Sequence, residues 1–463
     1  MLNNYKYKIV FFLCSILSLQ AGAQSFTSSP YSRFGVGDVT LISFQPGVAM
    51  GGTAIAQRTN HSVNFNNPAS YTAFDSLSFV FDISLTNKNI NYITNTQSSK
   101  DNNTNINHFA LGFPVTKRWF SSIGLVPYSN VGYNISESIP IDTFNLQNTY
   151  KGTGGINQFI IGNAFKIFTL GDTLIKETSG INTIYYNTKV LSFGINSSFL
   201  FGALERHTAS VFPDEAHLFD MYTSNKTIVN DFAFKFGLQY TYNRIEINKL
   251  DKINKYTIIT GFTFDNQNDV NAHNTSLVTK YLNIGGSVTI DTIENQINEK
   301  GNIRFPMNIG AGFAFINREK LTFAIDYKWQ QWSTARFFGN NDSLVNSQSI
   351  AAGLQFIPEP NRQNKYYKMI NYRIGGHYTK TYLNIRNQKI NDYGVSFGLG
   401  LPIRKPDKSE VSGLRKKLPP MINIAVEIGQ RGTVKNDLIK EKYVQISLNL
   451  SLYDIWFIKR KFN

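Results

Sequence analysis

Apolar residues recur at every second position in segment after segment of this chain. Leu191, Phe193, Ile195, Phe199 and Phe201 alternate with Ser192, Gly194, Asn196 and Ser198. Phe232, Phe234, Phe236, Leu238 and Tyr240 alternate with Ala233, Lys235, Gly237 and Gln239. Leu321, Phe323, Ile325, Tyr327 and Trp329 alternate with Thr322, Ala324, Asp326, Lys328 and Gln330. The same period covers 307–315, 393–401, 422–428 and 444–452. A helix would scatter these side chains around its axis, whereas a strand sends them to opposite faces. The polar face carries Gly, Ser, Asn and Thr with an occasional charge, too little charge for the outer face of a soluble sandwich. The apolar face is aromatic and almost uninterrupted, as lipid requires.

No segment after the first 23 residues has 18 consecutive apolar residues, so no membrane-spanning helix is expected there. Yet the chain holds 36 Phe and 24 Tyr, a supply that suits the apolar band and aromatic girdles of a membrane barrel. Backbone polar groups inside a bilayer are satisfied only by helices or closed barrels. The expected fold is therefore all-β, a transmembrane antiparallel β-barrel in the outer membrane of a Gram-negative bacterium. Fifteen candidate strands lie near 77–86, 106–114, 119–132, 155–168, 187–202, 230–247, 255–265, 279–290, 305–315, 320–333, 346–356, 371–383, 391–402, 420–430 and 442–453. An even number is required, so 14 are expected, with the pair flanking Pro114 holding the surplus. Ile316–Glu319 and Arg386–Lys389 read as tight turns. Stretches 88–105, 134–153, 203–229, 266–276 and 403–418 read as long polar loops, and Phe212, Pro213, Leu218 and Phe219 suggest that the third packs on the barrel.

Residues 1–23 read as a secretory signal: Lys6 and Lys8, an apolar run from Ile9 to Leu19, then Ala21-Gly22-Ala23 before Gln24. The only cysteine, Cys14, falls within it, so the mature chain is expected to have no disulfide, thiol chemistry or cysteine-ligated metal. The net charge is +15, and +13 without the two signal lysines. In an exported chain that surplus points to acidic lipid or an anionic partner rather than nucleic acid, or simply to basic loops.

Residues 24–72 lack strand alternation and are expected to form an N-terminal plug in the lumen, with the barrel at 73–463. Pro46-Gly47 opens a small-residue run through Ala49, Gly51, Gly52, Ala54 and Ala56, where glycines allow close backbone approach. Asn66-Asn67-Pro68-Ala69 then marks a turn. Gly51, Gly52, Asn66, Asn67, Pro68 and Ala69 are the candidate plug and gate residues. Lumenal charges are costly unless paired. Arg58 is a candidate partner for Asp326 or Glu427, and Lys235 a candidate receiver for a carboxylate. Trp456, Phe457, Lys459 and Arg460 look like an interfacial anchor.

With these pieces in view, the chain resembles the FadL-type family of outer-membrane transport proteins, in the form common in Bacteroidetes. The matching segments are Ser29–Gly37 (SPYSRFGVG), Gly47–Gly52 (GVAMGG), Asn66–Ala69, Gly154-Gly155-Ile156-Asn157, Phe193–Asn196, Asp326–Trp329 with Trp332-Ser333, and Trp456–Lys461. The resemblance implies a 14-stranded barrel plugged by its N-terminus, taking up hydrophobic molecules such as long-chain fatty acids. Outer-membrane lipids and a hydrophobic small molecule would be the partners. The second reading is a non-transporting barrel subunit of a larger outer-membrane assembly or secretion complex, with other envelope proteins as partners. An enzyme is not expected, nor any cofactor or metal. The pairing of His207 and His217 around Asp214 and Glu215 is more ordinary for a solvated loop.

Overall fold

The structure, a computed structural model, describes residues 27–40, 44–141, 144–178, 181–213, 218–247, 252–284, 287–359, 365–403 and 419–455. The expected signal segment, the interfacial group Trp456–Arg460, residues 404–418 and the Asp214–His217 cluster lie outside these.

Fourteen antiparallel strands form a closed ring. They are β1 (Ser78–Ile93), β2 (Ser98–Pro114), β3 (Trp119–Ile141), β4 (Phe144–Thr178), β5 (Ile181–Val211), β6 (Asp220–Ile247), β7 (Lys252–Asp265), β8 (Asn308–Asn317), β9 (Leu321–Gln330), β10 (Ser347–Phe356), β11 (Asn371–Ile385), β12 (Gln388–Pro402), β13 (Met421–Arg431) and β14 (Lys440–Ile455). Strand β14 pairs with β1 from Lys440↔Ile93 to Ile455↔Ser78, which leaves the ring no free edge. Every second side chain faces out. Phe232 is 54% and Ile428 56% exposed, while inward neighbours such as Ser192, Gln239 and Ser396 are fully buried. A closed sheet with such an apolar outer band belongs in a bilayer, and the chain is a barrel of the Gram-negative outer membrane.

The strand count is the expected 14, but the surplus candidate was elsewhere. Both strands flanking Pro114 are real, pairing from Phe109↔Leu125 to Pro114↔Phe120. The extra segment, 279–290, straddles the turn of a hairpin (Asn268–Ile284 with Ser287–Phe305) that is not in the ring. This hairpin leaves the rim between β7 and β8 and pairs with Asp220–Val229 of β6.

Several expected loops are also strand. Residues 134–153 and 203–229 extend β3–β6 well past the rim, so β4 runs 35 residues, where about 9–11 cross the hydrocarbon. Residues 88–105 lengthen β1 and β2, and 266–276 open the outer hairpin. Leu218 and Phe219 are not packed down but 49% and 45% exposed. The two tight turns lie at opposite ends of the barrel, and Arg318, Glu319, Arg386 and Asn387 all take positive φ, as two-residue hairpin turns require.

One seam of the wall is incomplete. Beyond Phe109↔Leu125 no ladder pairs join β2 to β3, although β2 continues to Ser98 and β3 to Ile141. Pro127, which lacks an N–H, sits at a register shift in β3. Asp38–Val39 pairs with Asn130 and Ser129 just above it.

Candidate functional site: the interior belt

Residues 44–74 follow the inward faces of β2 to β12. Almost every strand of that arc presents an inward glycine to this segment. A Cβ built at Gly112, Gly124, Gly162 or Gly194 would fall within 3.0 Å of Phe74, Phe65, Tyr71 or Pro68 respectively. The same holds for Gly237 against Asn67, Gly261 and Gly310 against Ile55, Gly353 and Gly375 against Met50, and Gly398 against Ala49. Only hydrogen at these positions lets the segment approach the wall so closely. The belt was visible in the sequence as glycine on the polar face. What each glycine meets depends on tertiary contact, which no periodicity encodes.

Polar side chains on the wall satisfy the segment's backbone. Asp326 accepts from the amides of Ala54 (2.5 Å) and Ile55 (2.8 Å). Gln239 Nε2 donates to the Ile55 carbonyl at 2.9 Å. Asn196 Nδ2 donates to the Phe65 carbonyl at 3.0 Å, and its Oδ1 accepts from the Tyr71 hydroxyl at 2.8 Å. A second carboxylate, Asp82, accepts from Ser62 Oγ (2.5 Å), the Val63 amide (3.1 Å) and Ser451 Oγ (3.0 Å). Buried backbone donors are costly when unmatched, so these side chains fix the path of an otherwise irregular segment. Asp82, Asn196 and Gln239 were not singled out from the sequence, because an inward polar residue looks the same whether it meets water or backbone.

The sequence-chosen residues divide into several groups. Gly51 (φ 71°) and Gly52 (φ 88°) occupy the left-handed region, and the Gly51 amide donates to Ser396 Oγ at 2.8 Å. Asn67 caps a short 3-10 helix, Pro68–Ala73, accepting from the Ala69 amide at 3.1 Å, with Pro68 at its first position. Asn67 Nδ2 also donates to the Ile55 carbonyl at 2.8 Å, and Asn66 donates its amide to Asn64 Oδ1. The charge pairing differs from expectation. Arg58 donates to the hydroxyls of Thr241 (3.0 Å) and Thr72 (2.9 Å) rather than to Asp326 or Glu427, and burial pulls its guanidinium down to about 10. Lys235 pairs with Asp265 at 3.3 Å, and Glu427 accepts from the Tyr443 hydroxyl at 3.0 Å.

Nearer the rim that carries the outer hairpin, residues 27–40 are held by charge. Asp38 pairs with Arg431 at 2.7 Å, and Ser29 Oγ donates to Glu441 at 2.5 Å. Two inner cavities of about 140 and 320 Å³ adjoin at Val39, Thr40, Lys328 and Gln330. The larger is bordered by Asp38, Lys88, His377, Asp392, Glu427 and Arg431 together with Phe44, Val48 and Tyr382, so its lining mixes charged and apolar groups. Among the described residues no group of three or more His, Cys, Asp or Glu is placed to hold a metal ion.

The family model described as BamG matches residues 6–174 and 176–463. Among solved structures, a Pseudomonas aeruginosa FadL homologue is similar at 11% identity, with 90% of this chain and 99% of that one covered and a TM-score of 0.50. The CymD monoaromatic hydrocarbon channel matches at 11% identity over 90% and 98% of the two chains, TM-score 0.48. The Pseudomonas putida toluene transporter TodX matches at 14% over 92% and 99%, TM-score 0.47. No curated protein is similar in sequence. The likeness to the FadL homologue is one of fold.

Proposed function

We propose, from the premise that this chain belongs to the BamG family, that it is a non-conducting barrel subunit of a larger outer-membrane assembly. Its N-terminal segment acts as a fixed lumenal plug, and its tall strands and outer hairpin offer surface to envelope proteins. The observation that carries this reading is the glycine belt, where segment and wall meet at backbone distance. A plug that must move for each solute would forfeit those contacts and the hydrogen bonds of Asp326, Asn196 and Asp82 together. Gly51, Gly52 and Asn66–Ala69 then serve as close-packing and turn positions rather than as a gate. The export signal at 1–23, the plug and barrel boundaries at 72/73, the anchor at Trp456, Phe457, Lys459 and Arg460, and a place in the Bacteroidetes branch belong to the same proposal.

Purification of the full chain from its own membrane in mild detergent, with mass spectrometry of what accompanies it, tests this. Stoichiometric protein partners and no conductance in planar bilayers are expected. A solitary barrel that passes hydrophobic solutes would overturn it.

One observation favours the second reading, uptake of small hydrophobic molecules such as fatty acids. The unpaired seam between β2 and β3 is a break through which an apolar solute could leave the lumen sideways. A Pro127→Thr variant distinguishes the two. Altered solute uptake supports the channel, and unaltered partner binding without uptake supports the subunit.

A further inference from the structure

A cavity larger than either of the two inner ones lies on the lipid-facing side of the wall. A furrow of about 1070 Å³ crosses the outer surface of β10 to β14, β1 and β2. Its cause is local. The outward positions Ala352 and Gly376 are cross-strand neighbours and place almost no side chain where the rest of the band has Ile, Phe or Leu. Larger neighbours stand around them, among them Ile350, Tyr378, Val395 and Ile428.

The chemistry changes along the furrow. One ladder row of outward residues reads Ile350, Tyr378, Tyr393, Gln430, Lys442, Asn91, Lys100 from β10 round to β2. It passes from aliphatic through two tyrosines to two cations. Lys442 and Lys100 are both paired with Asn91, so they lie two strand spacings apart, about 10 Å. Neither has an ion pair among the described residues, and the buried Asn91 Oδ1 accepts no hydrogen bond. Asp101, which also borders the furrow, is paired with the inward Ile90 and so belongs to the other face. The row reaches the end of the barrel that carries the outer hairpin and the tall strands, the extracellular end by the usual placing of long connections.

We propose that this furrow holds one lipid A molecule of the outer leaflet. An acyl chain fills the hollow over Ala352 and Gly376, and its phosphates meet Lys442 and Lys100. Charge complementarity at the mouth and an apolar floor open to hydrocarbon are the features that select it. Gly376 also backs directly onto Gly51 inside, so only one backbone layer separates this lipid from the interior segment.

The test uses the full chain purified in mild detergent from a membrane containing lipopolysaccharide. Native mass spectrometry counts bound lipid, with added hexa-acyl lipid A and phosphatidylglycerol as competing probes. About one lipid A per chain is expected. Lys100→Gln with Lys442→Gln, and separately Ala352→Trp, should each lower its retention on the order of tenfold. Both change outward positions, and heat-modifiable gel mobility checks that each variant is folded. The proposal fails if no lipid A is retained, or if both folded variants keep it. It also fails if phosphatidylglycerol displaces it equally, or if a photo-reactive group at Ile428 captures a protein segment instead.

Discussion

Strands β3 to β6 are built in two ways along their own length. At belt level their inward residues are Gly124, Gly162, Gly194 and Gly237, each closed against Phe65, Tyr71, Pro68 or Asn67. Higher up, the same strands carry side chains such as Glu205 and Lys226, paired at 2.8 Å but 36% and 48% exposed. The outer hairpin beside them leaves Ile297 73% exposed. The ladder of backbone hydrogen bonds is continuous through both regions. Packing on the inner face carries on from the lower region as far as Tyr133, Leu204, Val229, Val270 and Ala272, all buried, while the outer faces and the hairpin tip are solvated. Pairing sets how far a strand runs, and burial sets where removing an atom matters.

The contrast fails if substitutions in the two regions cost the same. The largest effect is expected at Gly375→Leu, whose side chain would overlap Met50, with a loss of about 3 kcal/mol from overpacking. Asp326→Ala strands two buried amides and should cost about 2–3 kcal/mol, with Asp326→Asn milder because an acceptor remains. Asn67→Ala removes a helix cap and should cost about 1–2 kcal/mol. Ile297→Ser in the hairpin should stay within about 0.5 kcal/mol. Urea unfolding in micelles, followed by tryptophan fluorescence, ranks all four, and a hairpin loss equal to the belt losses would break the comparison. The smallest effect is one of pH. Arg304 hydrogen-bonds Asp269 (2.6 Å) and holds its carboxyl below the usual range. A lowered folded value means stability present above about pH 4 and lost as pH falls through the folded value. Protection of the hairpin amides, corrected for the intrinsic pH dependence of exchange, should therefore fall only on acidification, and Arg304→Ala should abolish that dependence.

The sequence was most legible where lipid imposes a rule. The alternations at 190–201, 231–240 and 321–330 correspond to β5, β6 and β9, because outward residues there meet hydrocarbon and, Ser197 excepted, are apolar. Beyond the rim that pressure lapses. Glu137 pairs with Asn148 and Lys151 with His207, and polar partners on both faces read as loop. The misplaced candidate at 279–290 has the same origin, with apolar residues on both sides of a turn outside the membrane. Inside, the glycines and Asp326 were recognisable as inward residues. That Arg58 would choose two threonines over a carboxylate was not, since the choice depends on where an irregular segment comes to rest.

Single-channel recording of the full chain beside its Gly375→Leu variant tests the fixed interior most directly. The intact protein should stay silent under applied voltage, while the variant, with the segment pushed off the wall, should conduct. Steady current through the intact protein, equal to that of the variant, would contradict a lumen closed by the glycine belt.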